Sequence, residues 1–181
     1  MCDVIIRPET VDDYPVIAVL IVEVFRETYG TGEEEAGIVE QMRHHAPCIS
    51  LVAVANGTLI GHLFISPVAL ADFPEVPVCV LGPIGVARQW QRQGIGTRLM
   101  REGLAACRRA GYQAVFVTGD QRYYARFGFI PIGRTRLVTL FDTAHDMVLE
   151  LEPGVLARIS GRVDYPAPWH AFVEDAPCES P

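Results

Sequence analysis

Six residues, Gln91-Arg92-Gln93-Gly94-Ile95-Gly96, constrain this chain more than any other stretch because of what stands on either side of them. Val78 to Val86 before them is apolar enough to be a central strand. Gly96 to Ala110 after them is an amphipathic helix, with Leu99, Met100, Leu104 and Cys107 on one face and Gly111 as its C-cap. A strand, a glycine turn and a helix in that order belong to a mixed sheet with helices packed on it. Glycines at 94 and 96 let successive N–H groups point inward, and the positive end of the following helix adds to them. Such a turn suits a phosphate-bearing ligand.

Other phosphate loops fit less well. A Walker A loop needs lysine, and all fifteen basic residues here are arginine. A dinucleotide fingerprint needs a small residue at position 99, where Leu99 stands, although Asp120 loosely imitates its ribose-binding acid. The preceding strand adds information of a different kind. Val78-Cys79-Val80-Leu81-Gly82-Pro83-Ile84-Gly85-Val86 carries a proline between glycines, which removes a ladder donor and marks a bulge. A bulged strand leaves N–H and C=O groups free to pair with a ligand that carries amides.

The remaining elements are short and alternate in type. Val4 to Arg7 reads as a strand, and Thr10-Val11-Asp12-Asp13 caps a helix reaching about Glu27. Glu33 to Arg43 is a second helix, acidic at its start and basic at its end, as the macrodipole favours. Ile49 to Ala55 and Thr58 to Ser66 flank Asn56-Gly57 as a hairpin. A loop punctuated by Pro67, Pro74 and Pro77 leads to the bulged strand. Ala114 to Thr118 is a strand buried on both faces, Tyr123 to Phe127 a short helix, and Met147 to Leu151 a strand, with Leu137 to Phe141 as a further candidate. The fold class is α/β (α+β), a mixed central sheet of six to seven strands with flanking helices. Residues 1–173 form a single domain, and 174–181 read as a flexible tail.

Net charge is −7, yet residues 88 to 109 hold six arginines against Glu102 alone, leaving −12 for the rest. An acidic total argues against nucleic acid as a partner without excluding a small phosphate ligand. Five cysteines with no CxxC pair and no metal-ligand spacing read as thiols of a reducing cytosol. No secretory signal opens the chain, and its longest apolar stretch, Pro15 to Val22, is far short of a membrane span. The expectation is a cytoplasmic protein with no metal and no membrane partner.

Taken together, the glycine turn and its surroundings resemble the GNAT superfamily of acetyl-CoA-dependent N-acetyltransferases. Gln91-x-x-Gly94-x-Gly96 matches that family's pyrophosphate-loop pattern, and Ile84-Gly85-Val86 occupies the place of its bulged strand. Val117-Thr118-Gly119-Asp120 through Tyr123-Tyr124-Ala125-Arg126-Phe127-Gly128-Phe129 is similar to a bacterial branch with a Tyr-Tyr-x-Arg-Phe-Gly-Phe motif, as are Gly61-His62 and Leu149 to Gly154.

The resemblance implies acetyl-CoA as co-substrate and a small-molecule or peptide amine as acceptor, and it admits a homodimer. It places the acetyl group and pantetheine arm on the backbone of Ile84, Gly85 and Val86. The pyrophosphate falls to Gln91, Arg92, Gln93, Gly94, Ile95, Gly96 and Thr97. Tyr124, four residues before Gly128, takes the position of the general acid that protonates the departing thiolate. A tyrosine packed on Phe127 and Phe129, or Tyr123 in the same role, are the alternatives. Arg126 reads as a structural arginine and His62 as a sheet residue. Val117 stands where many members have asparagine, and Val78 to Val86 lacks the glutamate many carry as base. The base is therefore open between Asp120, a water chain and an amine arriving neutral. Asp72, Glu75, Asp142 and Asp146 are candidate attractors for a cationic amine. An acyl-CoA-binding interaction module without transferase activity is the other reading.

Overall fold

The computed structural model describes residues 3–141 and 144–171, so the expected tail from 174 lies outside the described residues. The chain enters through β1 (Val4–Pro8) and a 3₁₀ turn over Val11–Asp13. Asp13 closes that turn, accepting from the Thr10 amide at 2.7 Å and from the Arg7 guanidinium at 2.6 and 2.9 Å. Those hydrogen bonds, Arg7's first, hold its carboxyl well below the usual carboxylate range. Helix α1 (Tyr14–Tyr29) ends at Gly30 and α2 (Glu33–His45) follows almost at once.

Strands β2 (Ile49–Ala55) and β3 (Thr58–Leu70) form the hairpin, with Asn56 and Gly57 both at positive φ as a type I′ turn requires. After β4 (Val78–Val86) come α3 (Ile95–Arg109), β5 (Ala114–Thr118), α4 (Gln121–Tyr124), β6 (Ile130–Pro131) and β7 (Leu137–Val138). The described chain closes with β8 (Asp146–Glu150), α5 (Val155–Arg158), β9 (Gly161–Asp164) and a 3₁₀ turn over Ala167–His170.

The sheet runs β1-β2-β3-β4-β5-β8-β6, with β9 attached to β3 and β7 to β9. Seven strands on this path match the expected count; β7 and β9 are additions at its side. Alternation along the strands sorts side chains into two cores. Val52, Phe64, Val80 and Phe116 meet Ile17, Ile21, Ile38 and Met42 of α1 and α2 on one face. Ala53, Leu63, Ile65, Cys79 and Val115 meet Leu99, Met100, Leu104 and Cys107 of α3 on the other.

Two expectations need correction. Pro67 lies inside β3, opposite Cys79, and not in a loop. Strand β2 has ended opposite Ile65, so one side of β3 has no ladder to lose there. The candidate strand at Leu137 to Phe141 is only Leu137–Val138, held by β9 in parallel. Among the described residues no helix is long and apolar enough to cross a membrane.

Candidate active site

Strands β4 and β5 are parallel neighbours only for three residues: Val78, Cys79 and Val80 pair with Ala114, Val115 and Phe116. Beyond Val80 they separate, and among the described residues Leu81–Val86 has β3 on one side and no strand on the other. The register with β3 also shifts between Leu63–Ile84 and Ile65–Leu81, the bulge that the Gly82-Pro83 pair announces. Between the separating strands opens a cleft of about 1460 Å³. It reaches from the α1–α2 face of the sheet to the start of α3, because the gap passes through the sheet itself.

The glycine turn forms the α3 end of this cleft. Gly94 is the N-cap of α3 at φ +82°, a conformation costly for other residues, and Arg92 adopts φ +58° just before it. The first backbone hydrogen bond of the helix runs from Arg98 to the Gly94 carbonyl at 3.0 Å. The amides of Ile95, Gly96 and Thr97 therefore precede the helical ladder and are left for another acceptor. Gln91 Nε2 donates to the Val86 carbonyl at 3.0 Å, which ties the turn to the end of β4.

Of the eleven expected site residues, nine line the cleft: Tyr124, Ile84, Gly85, Val86, Gln91, Arg92, Gly94, Gly96 and Thr97. Gln93 and Ile95 do not. The Gln93 side chain donates to the Gln89 carbonyl, and Ile95 is buried in the α3 core. Of the six arginines between 88 and 109 only Arg92 lines the cleft. Arg98 donates to the Val4 carbonyl and Arg88 faces Glu27; Arg122 and Arg126 line the cleft instead.

Both tyrosines of α4 reach the cleft, in different directions. The Tyr123 hydroxyl points to the helix start, where a Cβ placed on Gly96 would lie 3.0 Å from it. Arg126 stacks on the Tyr123 ring at 4.5 Å and donates to the Tyr123 carbonyl. Tyr124 is 8% exposed and packs edge-on to Tyr123 and Phe129, with ring centroids at 5.0 and 5.7 Å. Burial pushes its hydroxyl pKa well up, and Tyr123, Tyr29 and Asp120 add to the shift. The phenol is therefore protonated at neutral pH.

Of the candidate acids, the described ones do not gather at the cleft. Asp146 is buried in β8 and accepts from Thr118 and Thr139. Asp72 sits against Gly161 at β9, Glu75 is not in the cleft wall, and Asp142 lies outside the described residues. Asp120 lines the cleft, but one of its oxygens caps α4 by accepting from the Arg122 amide at 2.8 Å. His62 is fully buried outside the cleft and shares a 2.8 Å hydrogen bond with Ser50; burial lowers its pKa to about 3. Among the described residues no three metal-binding side chains come together.

The residue missed from sequence is Glu35. It lines the α2 side of the cleft at 8% exposure, with Oε1 accepting from Thr31 at 3.0 Å and Oε2 without a partner. Its burial had no local signal, because Glu33-Glu34-Glu35 reads as an ordinary acidic helix start.

The chain is similar to several known proteins. The uncharacterized N-acetyltransferase YjhQ of Escherichia coli is 36% identical over 86 residues, 47% of this chain and 48% of that protein, so the chain matches about half of YjhQ's length. The uncharacterized N-acetyltransferase YhbS of E. coli is 32% identical over 127 residues, 69% of this chain and 72% of YhbS. The crystal structure of YhbS in complex with CoA superimposes with a TM-score of 0.85 and 28% identity, covering 95% of this chain and 94% of that one. A GNAT family acetyltransferase from Brucella melitensis in complex with acetyl-CoA gives 0.77 and 32%, covering 93% and 99%. The sequence profile of the acetyltransferase (GNAT) family matches residues 15–129, well over half the chain, and the protein belongs to that family.

Proposed function

We propose that the chain transfers an acetyl group from acetyl-CoA to a primary amine of a small molecule or peptide by direct attack in a ternary complex. Tyr124 is the general acid that protonates the departing thiolate. The observation that carries this reading is the separation of β4 from β5 beside the unladdered amides of α3. An extended, amide-bearing arm with a diphosphate at its far end matches a free strand edge that leads to a helix N-terminus. The size of the cleft admits such a ligand. The relatives with bound CoA and acetyl-CoA supply the identity of that ligand.

Ile84, Gly85 and Val86 offer the strand backbone, and the turn from Gln91 to Thr97 offers the phosphate end. Tyr124 is favoured over Tyr123 because the Tyr123 hydroxyl is directed at Gly96, toward the phosphate end. No described side chain pairs with the Tyr124 hydroxyl, so it is available to a sulfur in the cleft. The Tyr-Tyr-x-Arg-Phe-Gly-Phe stretch is the basis for placing the chain in a particular bacterial branch. We also assign the protein to the cytoplasm, in keeping with free thiols at Cys48, Cys79 and Cys107, and one domain to residues 1–173.

Thiol release from acetyl-CoA across a panel of amines tests the reaction. Tyr124→Phe is expected to lower turnover by at least about tenfold while acetyl-CoA affinity stays unchanged. Unchanged turnover removes Tyr124 from its role. Binding without thiol release on any amine would instead favour an acyl-CoA-binding interaction module, a reading suggested by the absence of an acid on β4.

A further inference from the structure

The longest apolar stretch of the chain, Pro15 to Val22, lies in α1, and the fold buries only one side of it. Ile17, Leu20 and Ile21 enter the core. Pro15, Val16, Ala18 and Val19 face water, Val16 at 49% and Val19 at 57% exposure. A surface helix ordinarily carries polar side chains on that side. Single exposed apolar residues need no explanation, but these are gathered. Six large hydrophobic residues are exposed among the described ones, and four of them, Ile5, Val11, Val16 and Val19, fall within fifteen positions. Ile5 stands opposite Val54 in the β1–β2 ladder, and Val54 packs into the α1–α2 core, so Ile5 belongs to the same side of the sheet.

The charges bordering this face decide what can cover it. No arginine stands between Arg7 and Arg26, and Arg7 is taken by Asp13. Asp12 and Glu23 flank the stretch, which does not suit an anionic lipid surface. Asp12 and Arg26 lie seven residues to either side of Val19, about two helical turns each way, so the three share one stripe. Asp12 stands in the 3₁₀ turn that runs directly into α1, and all three residues are exposed. Asp12 is in no ion pair among the described residues. Arg26 pairs with Glu33 and keeps further N–H donors, because a guanidinium has five. Read along the helix the stripe is acid, apolar, base, and it complements its own reverse.

We propose that this face pairs with a second copy of the chain, two α1 helices packing antiparallel about a two-fold axis at Val19. Val19 then meets its own copy, Val16 meets the partner's Val22, and Asp12 meets the partner's Arg26, each of the last two twice by symmetry. Glu23 falls beside the partner's Pro15 at the rim, in water. The α1 residues Val24, Phe25 and Thr28, which line the cleft, lie on other sides of the helix, so pairing leaves the cleft open. The pairing does not depend on the transferase reading. One helix face buries less than the roughly 800 Å² per partner of a standard interface, so the dimer is weak, with a Kd of about 10–100 µM.

Sedimentation equilibrium between about 5 and 500 µM measures it. Val19→Glu sets two like charges against each other on the axis and should raise the Kd at least about tenfold. Val138→Glu, at an exposed apolar site on β7, is the control and should leave the Kd unchanged. Asp12→Arg and Arg26→Asp should each weaken the dimer at least about threefold, and the two together should restore it to within about twofold. Thermal melting confirms that each variant is folded. A chain that stays monomeric throughout overturns the pairing, and one that instead floats with vesicles of phosphatidylcholine and phosphatidylglycerol gives the face to lipid. A dimer indifferent to Val19→Glu overturns the choice of face. Single charge variants without effect, or a double variant that does not recover, overturn the antiparallel register.

Discussion

Gly96 and Tyr123 set the spacing between the start of α3 and the α4 turn. A Cβ at position 96 would lie 3.0 Å from the Tyr123 hydroxyl and 3.8 Å from Val86. Gly96→Ala must therefore displace the phenol by a few tenths of an ångström, beside the helix amides to which we assign the phosphate. We expect a loss in acetyl-CoA affinity of about 1 kcal/mol, roughly fivefold, with most of it recovered when Tyr123→Phe is added. A double variant as weak as Gly96→Ala alone, measured by titration with CoA, would show that the two residues are not coupled. The glycine itself was legible in the sequence because phosphate turns demand it; its partner was not, since Tyr123 reaches it across 27 positions of chain. Glu35 was illegible for the opposite reason. Its residue type has an adequate local explanation at a helix start, and only the packing of α2 reveals that the explanation does not apply.

At the scale of elements, α3 depends on a backbone that only glycine enters at little cost. Gly94 has φ +82°, and a Cβ there would meet no atom within 4 Å. Substitution cost is therefore purely conformational. Gly94→Ala is expected to lose about 1–2 kcal/mol of stability, and Gly94→Asn less, because asparagine tolerates the left-handed region. Denaturant unfolding measures both, and an alanine variant as stable as wild type would place the loop in another conformation. Elements whose signal is local were readable: the Asn56-Gly57 hairpin, the apolar β5, and the turn between β4 and α3. Those that exist only through a partner were not. Strand β9, four residues of Gly-Arg-Val-Asp, is held by Ala69 and Leu70 of β3, which the sequence assigns to a loop on the evidence of Pro67. The sequence shows six arginines clustered between 88 and 109 around the glycine turn, but not that the fold brings only Arg92 of the six to the cleft.

Across the whole molecule, the gap between β4 and β5 links the two faces of the sheet, so α1 and α2 line one cleft together with the start of α3. On the α1–α2 side, but outside the cleft, β3 buries a polar cluster. His62 is fully enclosed, bonded to Ser50, with Glu9 3.8 Å away; Glu9 is itself held by Arg43 at 2.6 and 2.9 Å. Burial, followed by the Arg43 charge, lowers the His62 pKa from 6.5 to about 3. Between those values the unfolded chain binds a proton that the folded chain refuses, so stability rises with pH across this window and falls on acidification. Each unit below the unfolded value costs about 1.4 kcal/mol, so lowering the pH from about 7.5 to about 5 should remove about 2 kcal/mol through this residue. Glu35, with its raised pKa, works in the opposite direction, and Asp13 with its lowered one acts only in stronger acid. The His62 contribution is isolated by comparison with His62→Asn, which keeps a partner for Ser50 and has no proton to gain. Urea unfolding at the two pH values should show the wild type losing about 2 kcal/mol more than the variant. Equal losses would mean that Glu9 leaves Arg43 and accepts a proton-bearing His62, in which case the cluster is a charged network and not a neutral one.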